Sequence, residues 1–138
     1  MKKIFLIAAV LAMVLTAVAG CGSEQKETLN VLNYDIYIDK DLLKEFQEAN
    51  NVTIKYDTYA TPEEMYIKAK AGASNYDLII SSEYMIERMI SEGMVNKLNF
   101  DNIPNYKFIG EDFKNQPYDP DNEYAVPYFW GTLGILYN

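Results

Sequence analysis

The chain has 138 residues, with 12 basic against 20 acidic residues, no histidine and a single cysteine. This composition excludes a Cys/His zinc site, a Ser-His-Asp triad and an internal disulfide, and we expect neither a metal nor a cofactor. A formal charge of −8 argues against nucleic acid as a partner, because binding to phosphates requires clustered lysine and arginine.

The first twenty residues are typical of an export signal. Two lysines precede an apolar run, Ile4 to Ala19, which is shorter than the roughly 20 residues of a membrane span. The small residues before Cys21 resemble a bacterial lipobox, which predicts a lipoprotein signal peptide over residues 1–20 and a lipid anchor on Cys21. The alternative is an ordinary signal peptide, with the cysteine incidental.

The polar stretch after this signal is predicted to be a tether over residues 21–28, leading to a folded domain over 29–138. Without residues 1–20, the chain has 10 basic and 20 acidic residues. We expect it to function outside the cytoplasm, anchored to the bacterial cell membrane in the periplasm or on the outer face. Its acidity is compatible with a cationic ligand, although most acidic surfaces only maintain solubility.

Strand and helix signals alternate from the start of this domain. An apolar strand over Leu29 to Asn33 precedes a helix over 39–50. This helix has Asp39 as its expected N-cap and carries Leu42, Leu43 and Phe46 on one face. The alternating, β-branched residues 52–56 predict a second strand.

Two more helices and further strands follow. Thr61 and the Pro-Glu-Glu after it predict the start of a second helix, which ends at Gly72. Residues 76–80 predict a third strand, apolar enough to be buried on both faces, and residues 82–92 a third helix. Two last strands are predicted over 123–128 and 132–137.

Three successive strand–helix units predict an α/β fold with a parallel sheet covered on both faces by helices. In such sheets, ligands bind outside the carboxyl ends of the strands. Two strand-to-helix junctions, residues 33–38 and 81–84, are therefore the places where a ligand site is expected.

Both junctions place tyrosine beside a carboxylate. The candidate binding residues are Tyr34, Asp35, Tyr37, Ser82, Glu83 and Tyr84. Aromatic faces attract cations, and carboxylates form charge-assisted hydrogen bonds to an ammonium group, so the combination suits an organic amine. Alternatively, the tyrosines are packing residues at strand ends and the acids are helix N-terminal charges.

An enzyme has little support in the sequence. The two candidate acids, Asp35 and Glu83, would have to form an acid/base pair, as in glycoside hydrolysis, and the sequence does not give their separation. We therefore predict no catalytic residues. An anionic solute is also disfavoured, because it would require arginine or free helix N-termini at the junctions.

Several segments occur in an order and spacing typical of one protein family. They include L-N-V-L-N-Y-D-I-Y-I-D, A-G-A-S-N-Y-D-L-I-I-S-S-E-Y and P-Y-D-P-D-N-E-Y-A-V-P-Y-F-W-G-T. Over residues 29–138, the chain resembles the amino-terminal part of spermidine/putrescine-binding proteins, the extracytoplasmic receptors of polyamine ABC transporters. The resemblance implies a periplasmic-binding-protein-like lobe of the type II class, with three αβα layers, in a receptor that closes on an extended polyamine.

The resemblance also implies roles for the junction residues. Tyr34 stands where these proteins usually have a tryptophan that stacks on the ligand. Three other residues match residues that line the cleft: Tyr37, Ser82 and Tyr84. The resemblance places the aromatic run over residues 127–131 at the approach to the hinge and not in the ligand site.

Three residues depart from the family pattern, and the first is Tyr34, which keeps the aromatic wall of the usual tryptophan with less area. Asp35 stands where a small polar residue is common, so it adds a charge to the first junction. Glu83 is unusual at its position, where it is either a second ammonium partner or a helix N-terminal charge. The changes at Tyr34 and Asp35 are each expected to shift which polyamine is preferred.

The implied partners are a polyamine ligand, an ABC-transporter permease and the membrane through Cys21, with the receptor a monomer. Family members are well over twice this length, so residues 29–138 are expected to be the first lobe only, truncated near the hinge. The alternatives are a receptor for another small solute and a surface interaction lipoprotein without a transport role.

Overall fold

A computed structural model describes residues 26–72, 75–132 and 134–137. The predicted signal peptide and Cys21 lie outside the described residues. Within them, strands and helices alternate in the order β1 (Glu27–Tyr34), α1 (Lys40–Asn50), β2 (Val52–Tyr59), α2 (Pro62–Ala71), β3 (Leu78–Ile79) and α3 (Glu83–Ser91). Short 3₁₀ helices follow at Phe100–Asn102, Pro104–Phe108 and Glu111–Phe113.

The first two helices begin at the predicted capping residues. The Asp39 side chain accepts a hydrogen bond from the Asp41 backbone N–H at 2.9 Å. At α2, Thr61 Oγ1 accepts from the Glu64 N–H at 3.2 Å, and the Glu64 carboxylate accepts in turn from the Ala60 N–H at 2.9 Å. These bonds satisfy N–H groups at the helix start, where no intrahelical acceptor is available.

The sheet has the order β2-β1-β3, and all its strands are parallel. The chain passes from β1 outward to β2 and then crosses back over β1 to β3. Because such crossovers are right-handed, α1 and α2 lie on opposite faces of the sheet. The direction of the connections reverses between β1 and β3, and this reversal is where open α/β sheets bind ligands.

The main core lies between the sheet and the helices α2 and α3. It consists of Leu32, Tyr59, Met65, Tyr66, Met85 and Met89. On the other face of β1, Val31 and Asn33 are also buried. The Gln47 side chain of α1 accepts a hydrogen bond from the Ile54 N–H of β2 at 2.7 Å, which ties that helix to the sheet.

The prediction that the third strand is buried on both faces is wrong. Leu78 is 49% exposed, because no described element covers it on that side. The strand itself is only two residues long, although the Asp77 and Ile80 N–H groups donate to Asn30 and Leu32 carbonyls and continue the pairing with β1.

The two last predicted strands, over 123–128 and 132–137, are also wrong. The described residues of these segments form no strand, because their backbones lie beside no partner strand. One backbone bond, from the Leu98 N–H to the Glu123 carbonyl at 2.7 Å, ties the first segment down. Among the described residues, no helix has the length and apolar character needed to cross a bilayer.

Candidate functional site

The carboxyl ends of β1 and β3 bring the two predicted junctions together. Tyr34 is the last residue of β1, and Ser82 is the residue that precedes α3. The Tyr34 hydroxyl and Ser82 Oγ are 3.3 Å apart and form a hydrogen bond. Two residues that are 48 positions apart in the sequence thus meet at the predicted edge of the sheet.

An aromatic wall is built around Tyr34. Its ring contacts the rings of Tyr37 and Tyr59 at tilted angles, with centroid distances of 4.7 and 4.4 Å. Tyr59 ends β2, and its hydroxyl donates to the Ile80 carbonyl just after β3. Burial raises the pKa of Tyr59, so this phenol remains a neutral donor at physiological pH.

The second junction contains a phenol–carboxylate pair that the sequence analysis did not include. The Tyr84 hydroxyl donates to Glu63 Oε1 at 3.0 Å, joining the first turns of α3 and α2. The pKa of Tyr84 is raised. The larger cause is the partial removal of the phenol from water, and the next is its hydrogen bond to Glu63. The sequence could have indicated Glu63 as a site residue, because it follows the carboxyl end of β2 at the same edge of the sheet.

The two predicted acids lie at the rim of this site. The Asp35 side chain is 66% exposed, and its carboxylate is 3.9 Å from the Lys40 ammonium. Glu83 is exposed and forms no ion pair with any residue of the described ranges. Its charge acts on Tyr118, whose pKa is raised by burial and then by the charges of Asp119 and Glu83.

Two further aromatic residues reach the first junction from the distant segment at 128–129. The Tyr128 hydroxyl donates to the Tyr37 carbonyl at 2.7 Å. The Phe129 ring meets the Tyr37 ring edge-on at a centroid distance of 5.5 Å. The family resemblance assigned this segment to the approach to the hinge, and with 91 residues between Tyr128 and Tyr37 no local sequence signal connects the two.

The assembled edge offers aromatic faces, neutral hydroxyl groups and carboxylates that have weak or no cationic partners. Within the described part of the chain, no group of three acidic, histidine or cysteine side chains is arranged to hold a metal ion. The arrangement is suited to holding an organic cation by its charge and its apolar surface.

Comparison with known families identifies the class of protein. The model of the bacterial extracellular solute-binding protein family matches residues 41–138. The chain belongs to this family. Its members are transport receptors for solutes, as the resemblance predicted.

Similar proteins of known name are polyamine-binding proteins. The chain is 33% identical over 121 residues to the spermidine/putrescine-binding periplasmic protein of Escherichia coli K12, an alignment that covers 87% of the chain and 35% of that protein. It is 35% identical over 125 residues to the putrescine-binding periplasmic protein SpuD of Pseudomonas aeruginosa, covering 88% of the chain and 34% of SpuD. The chain thus spans about a third of the length of these relatives.

Solved structures confirm the predicted periplasmic-binding-protein-like α/β fold. The spermidine/putrescine ABC transporter substrate-binding protein PotD of Streptococcus pneumoniae has a TM-score of 0.75 and 40% identity, over 77% of this chain and 33% of PotD. The TpPotD lipoprotein of Treponema pallidum has a TM-score of 0.70 and 36% identity, over 75% of this chain and 33% of TpPotD.

Proposed function

We propose that this chain supplies part of an extracytoplasmic receptor that binds polyamines, spermidine or putrescine, and delivers them to an ABC-transporter permease. The observation that carries the proposal is the edge shared by β1 and β3, where the Tyr34 hydroxyl bonds to Ser82 and the Tyr34 ring contacts the ring of Tyr37. The polyamine-binding names of the relatives support the same ligand class.

The chemistry of the site favours an amine over other solutes. A polyamine presents ammonium groups separated by methylenes, and it would contact the phenol faces along its length. Glu63 and Glu83, together with Asp35, provide carboxylates for the ammonium groups at the same edge. Glu83 in particular has no ion-pair partner among the described residues, so its carboxylate is available to an ammonium group although it also stands in the first turn of α3.

The sequence and one relative support the proposed cellular setting. Cys21 is proposed as the lipidated residue of a monomeric receptor held at the outer side of the cytoplasmic membrane. One structural relative, TpPotD, is named a lipoprotein, which supports this assignment. Labelling with a radioactive fatty acid should mark the wild-type protein and not the Cys21→Ser variant.

Calorimetric titration tests the proposed ligand. The protein expressed from its complete gene, without residues 1–20, is titrated with spermidine and with putrescine. We expect saturable binding of at least one. Asp35→Asn and Glu83→Gln should each weaken binding by about two- to fivefold, the range of a partly exposed charge pair.

Glu87→Gln is the matched control, because it makes the same change at an exposed position of α3. Its affinity should equal that of the wild type. Absence of binding to both polyamines, with binding of an amino acid or a sugar instead, would contradict the proposal.

A further inference from the structure

We call Tyr128 and Phe129 together the aromatic latch. The latch reaches the loop that follows β1 by two independent contacts, a hydrogen bond of 2.7 Å to the Tyr37 carbonyl and an edge-on ring contact of 5.5 Å to the Tyr37 side chain. One contact fixes the backbone of Tyr37, and the other fixes its ring.

The loop that carries Tyr37 has little else to hold it. Its neighbour Ile36 is 87% exposed, and the Asp35 side chain is 66% exposed. Inside the loop, the Tyr37 N–H donates to the Tyr34 carbonyl at 3.3 Å, a long bond for a turn. The position of Tyr37 relative to Tyr34 is thus set by this long turn bond, by the tilted contact between the two rings and by the latch.

The approach of the latch is itself fixed by a buried carboxylate. Asp119 is 5% exposed and accepts hydrogen bonds from the backbone N–H groups of Glu123, Tyr124 and Ala125, at 2.9 to 3.0 Å. These bonds replace the pairing that a neighbouring strand would provide. They hold the chain just before the latch in one conformation.

We propose that Tyr128 and Phe129 are positioning residues, which hold Tyr37 against Tyr34 so that both rings are ready to receive the methylene chain of an organic amine. This inference rests on the proposed function and extends it to a segment outside the two junctions. A preformed wall binds more tightly than one that must be ordered by the ligand, because the ordering cost lowers the affinity.

The first test is a pair of substitutions in the protein expressed from its complete gene. Tyr128→Phe removes only the hydroxyl, and Phe129→Leu removes only the ring. We expect each to weaken polyamine binding by about two- to tenfold in calorimetric titration, the range for one hydrogen bond or one aromatic contact. Phe129→Tyr retains the ring and should restore wild-type affinity.

The matched controls make the same chemical changes away from Tyr37. Tyr124→Phe removes a hydroxyl four residues before Tyr128, from a ring that lies 5.7 Å from the Lys97 ammonium. Phe108→Leu removes the ring of a phenylalanine that is 75% exposed. Both should bind polyamines as the wild type does.

Hydrogen exchange measured by mass spectrometry separates positioning from general stability. Tyr128→Phe should accelerate exchange in a peptide covering residues 35–38 and leave peptides from β1 and α2 unchanged. Wild-type exchange at 35–38, or faster exchange throughout the protein, would overturn the proposal, and so would wild-type affinity in both latch variants. If the wild type binds no polyamine, the proposed function fails, while the exchange at 35–38 still decides whether the latch exists.

Discussion

The molecule contains two clusters that combine tyrosine with a carboxylate. They differ in whether the protein supplies a cationic side chain that contacts the carboxylate closely. In the first, which we call the closed cluster, Glu92 accepts hydrogen bonds from Tyr66, Lys70 and Arg88 at 2.6, 3.0 and 2.9 Å. The second, the open cluster, is the edge with Tyr34, Tyr84 and their acids. The negative charge of Glu92 in the closed cluster is therefore balanced by the protein's own lysine and arginine.

The closed cluster shows how this chain binds a primary ammonium group. Lys70 Nζ lies 2.6 Å from the Tyr66 hydroxyl, 3.0 Å from the Glu92 carboxylate and 5.1 Å from the Tyr66 ring centroid. The Arg88 guanidinium lies over the same ring at 4.0 Å. A phenol, a carboxylate and an aromatic ring thus contact two of the protein's own cations at one place.

The open cluster also combines tyrosine with carboxylates, but its carboxylates have weaker ion-pair contacts with lysine or arginine. Tyr84 donates a hydrogen bond to Glu63, and Glu83 precedes Tyr84 in the sequence. Among the described residues, the ion pair at this edge is the 3.9 Å contact of Asp35 with exposed Lys40. Tyrosine beside an acid is therefore not in itself a ligand site. Such a pair becomes available to a ligand where the chain supplies no strong cation.

The largest effect is expected from Tyr34→Ala, which removes the centre of the open cluster. The substitution eliminates two ring contacts and the bond to Ser82. Polyamine affinity should fall by about 30-fold or more, since a desolvated cation–aromatic contact contributes about 2 kcal/mol. Calorimetric titration measures this loss. Tyr34→Trp retains an aromatic face and should bind nearly as the wild type; equal loss in both variants would contradict the stacking role.

A smaller effect is expected from Glu63→Gln. The amide still accepts a hydrogen bond from Tyr84, so the local geometry is kept while the charge is lost. Affinity should fall by about two- to fivefold, and the loss should shrink as salt is added, because exposed charges are screened. Titrations at low and high ionic strength test both points. Unchanged affinity at low salt would remove Glu63 from the open cluster.

Glu92→Gln tests the other side of the comparison. The closed cluster links α2 to α3, so its disruption should lower the melting temperature by a few degrees, measured by circular dichroism. Polyamine affinity should remain within about twofold of wild type, because Glu92 already has its cations. A large loss of affinity would show that the two clusters are not independent.

The smallest effect is a pH dependence of stability. Hydrogen bonds from Tyr66, Lys70 and Arg88 lower the pKa of Glu92 to about 2 from its usual 4.5. A depressed pKa stabilises the folded protein above pH 4.5, and this contribution is lost as the pH falls toward 2. In urea denaturation, the stability difference between wild type and Glu92→Gln should therefore shrink between pH 6 and pH 3. A constant difference would contradict the assigned pKa.

Local sequence signals predicted the elements whose ends are set by their own residues. Asp39 and Thr61 cap their helices as expected, and Asn51 and Gly72 end them with backbone φ values of 52° and 63°. The meeting of Tyr34 with Ser82 was predictable too, because parallel strands carry their carboxyl ends to one edge of the sheet.

Features that depend on distant partners could not be predicted. Residues 123–128 have strand-like composition, but a strand requires a neighbour, and Asp119 accepts hydrogen bonds from the N–H groups of residues 123–125 instead. Leu78 was expected to be buried because its run is apolar, whereas burial depends on what lies above it. The contact of Tyr128 with Tyr37 has no local signature at all.

The separation of Tyr128 from Tyr37 also bears on the order in which the protein folds. Closing the 91-residue loop between them costs more chain entropy than bringing Tyr34 to Ser82, which are 48 residues apart. Contacts of short separation form first when other factors are equal. We therefore expect the sheet and its first aromatic pair to form early, and the wall around Tyr37 to be completed only when the chain has reached residue 128.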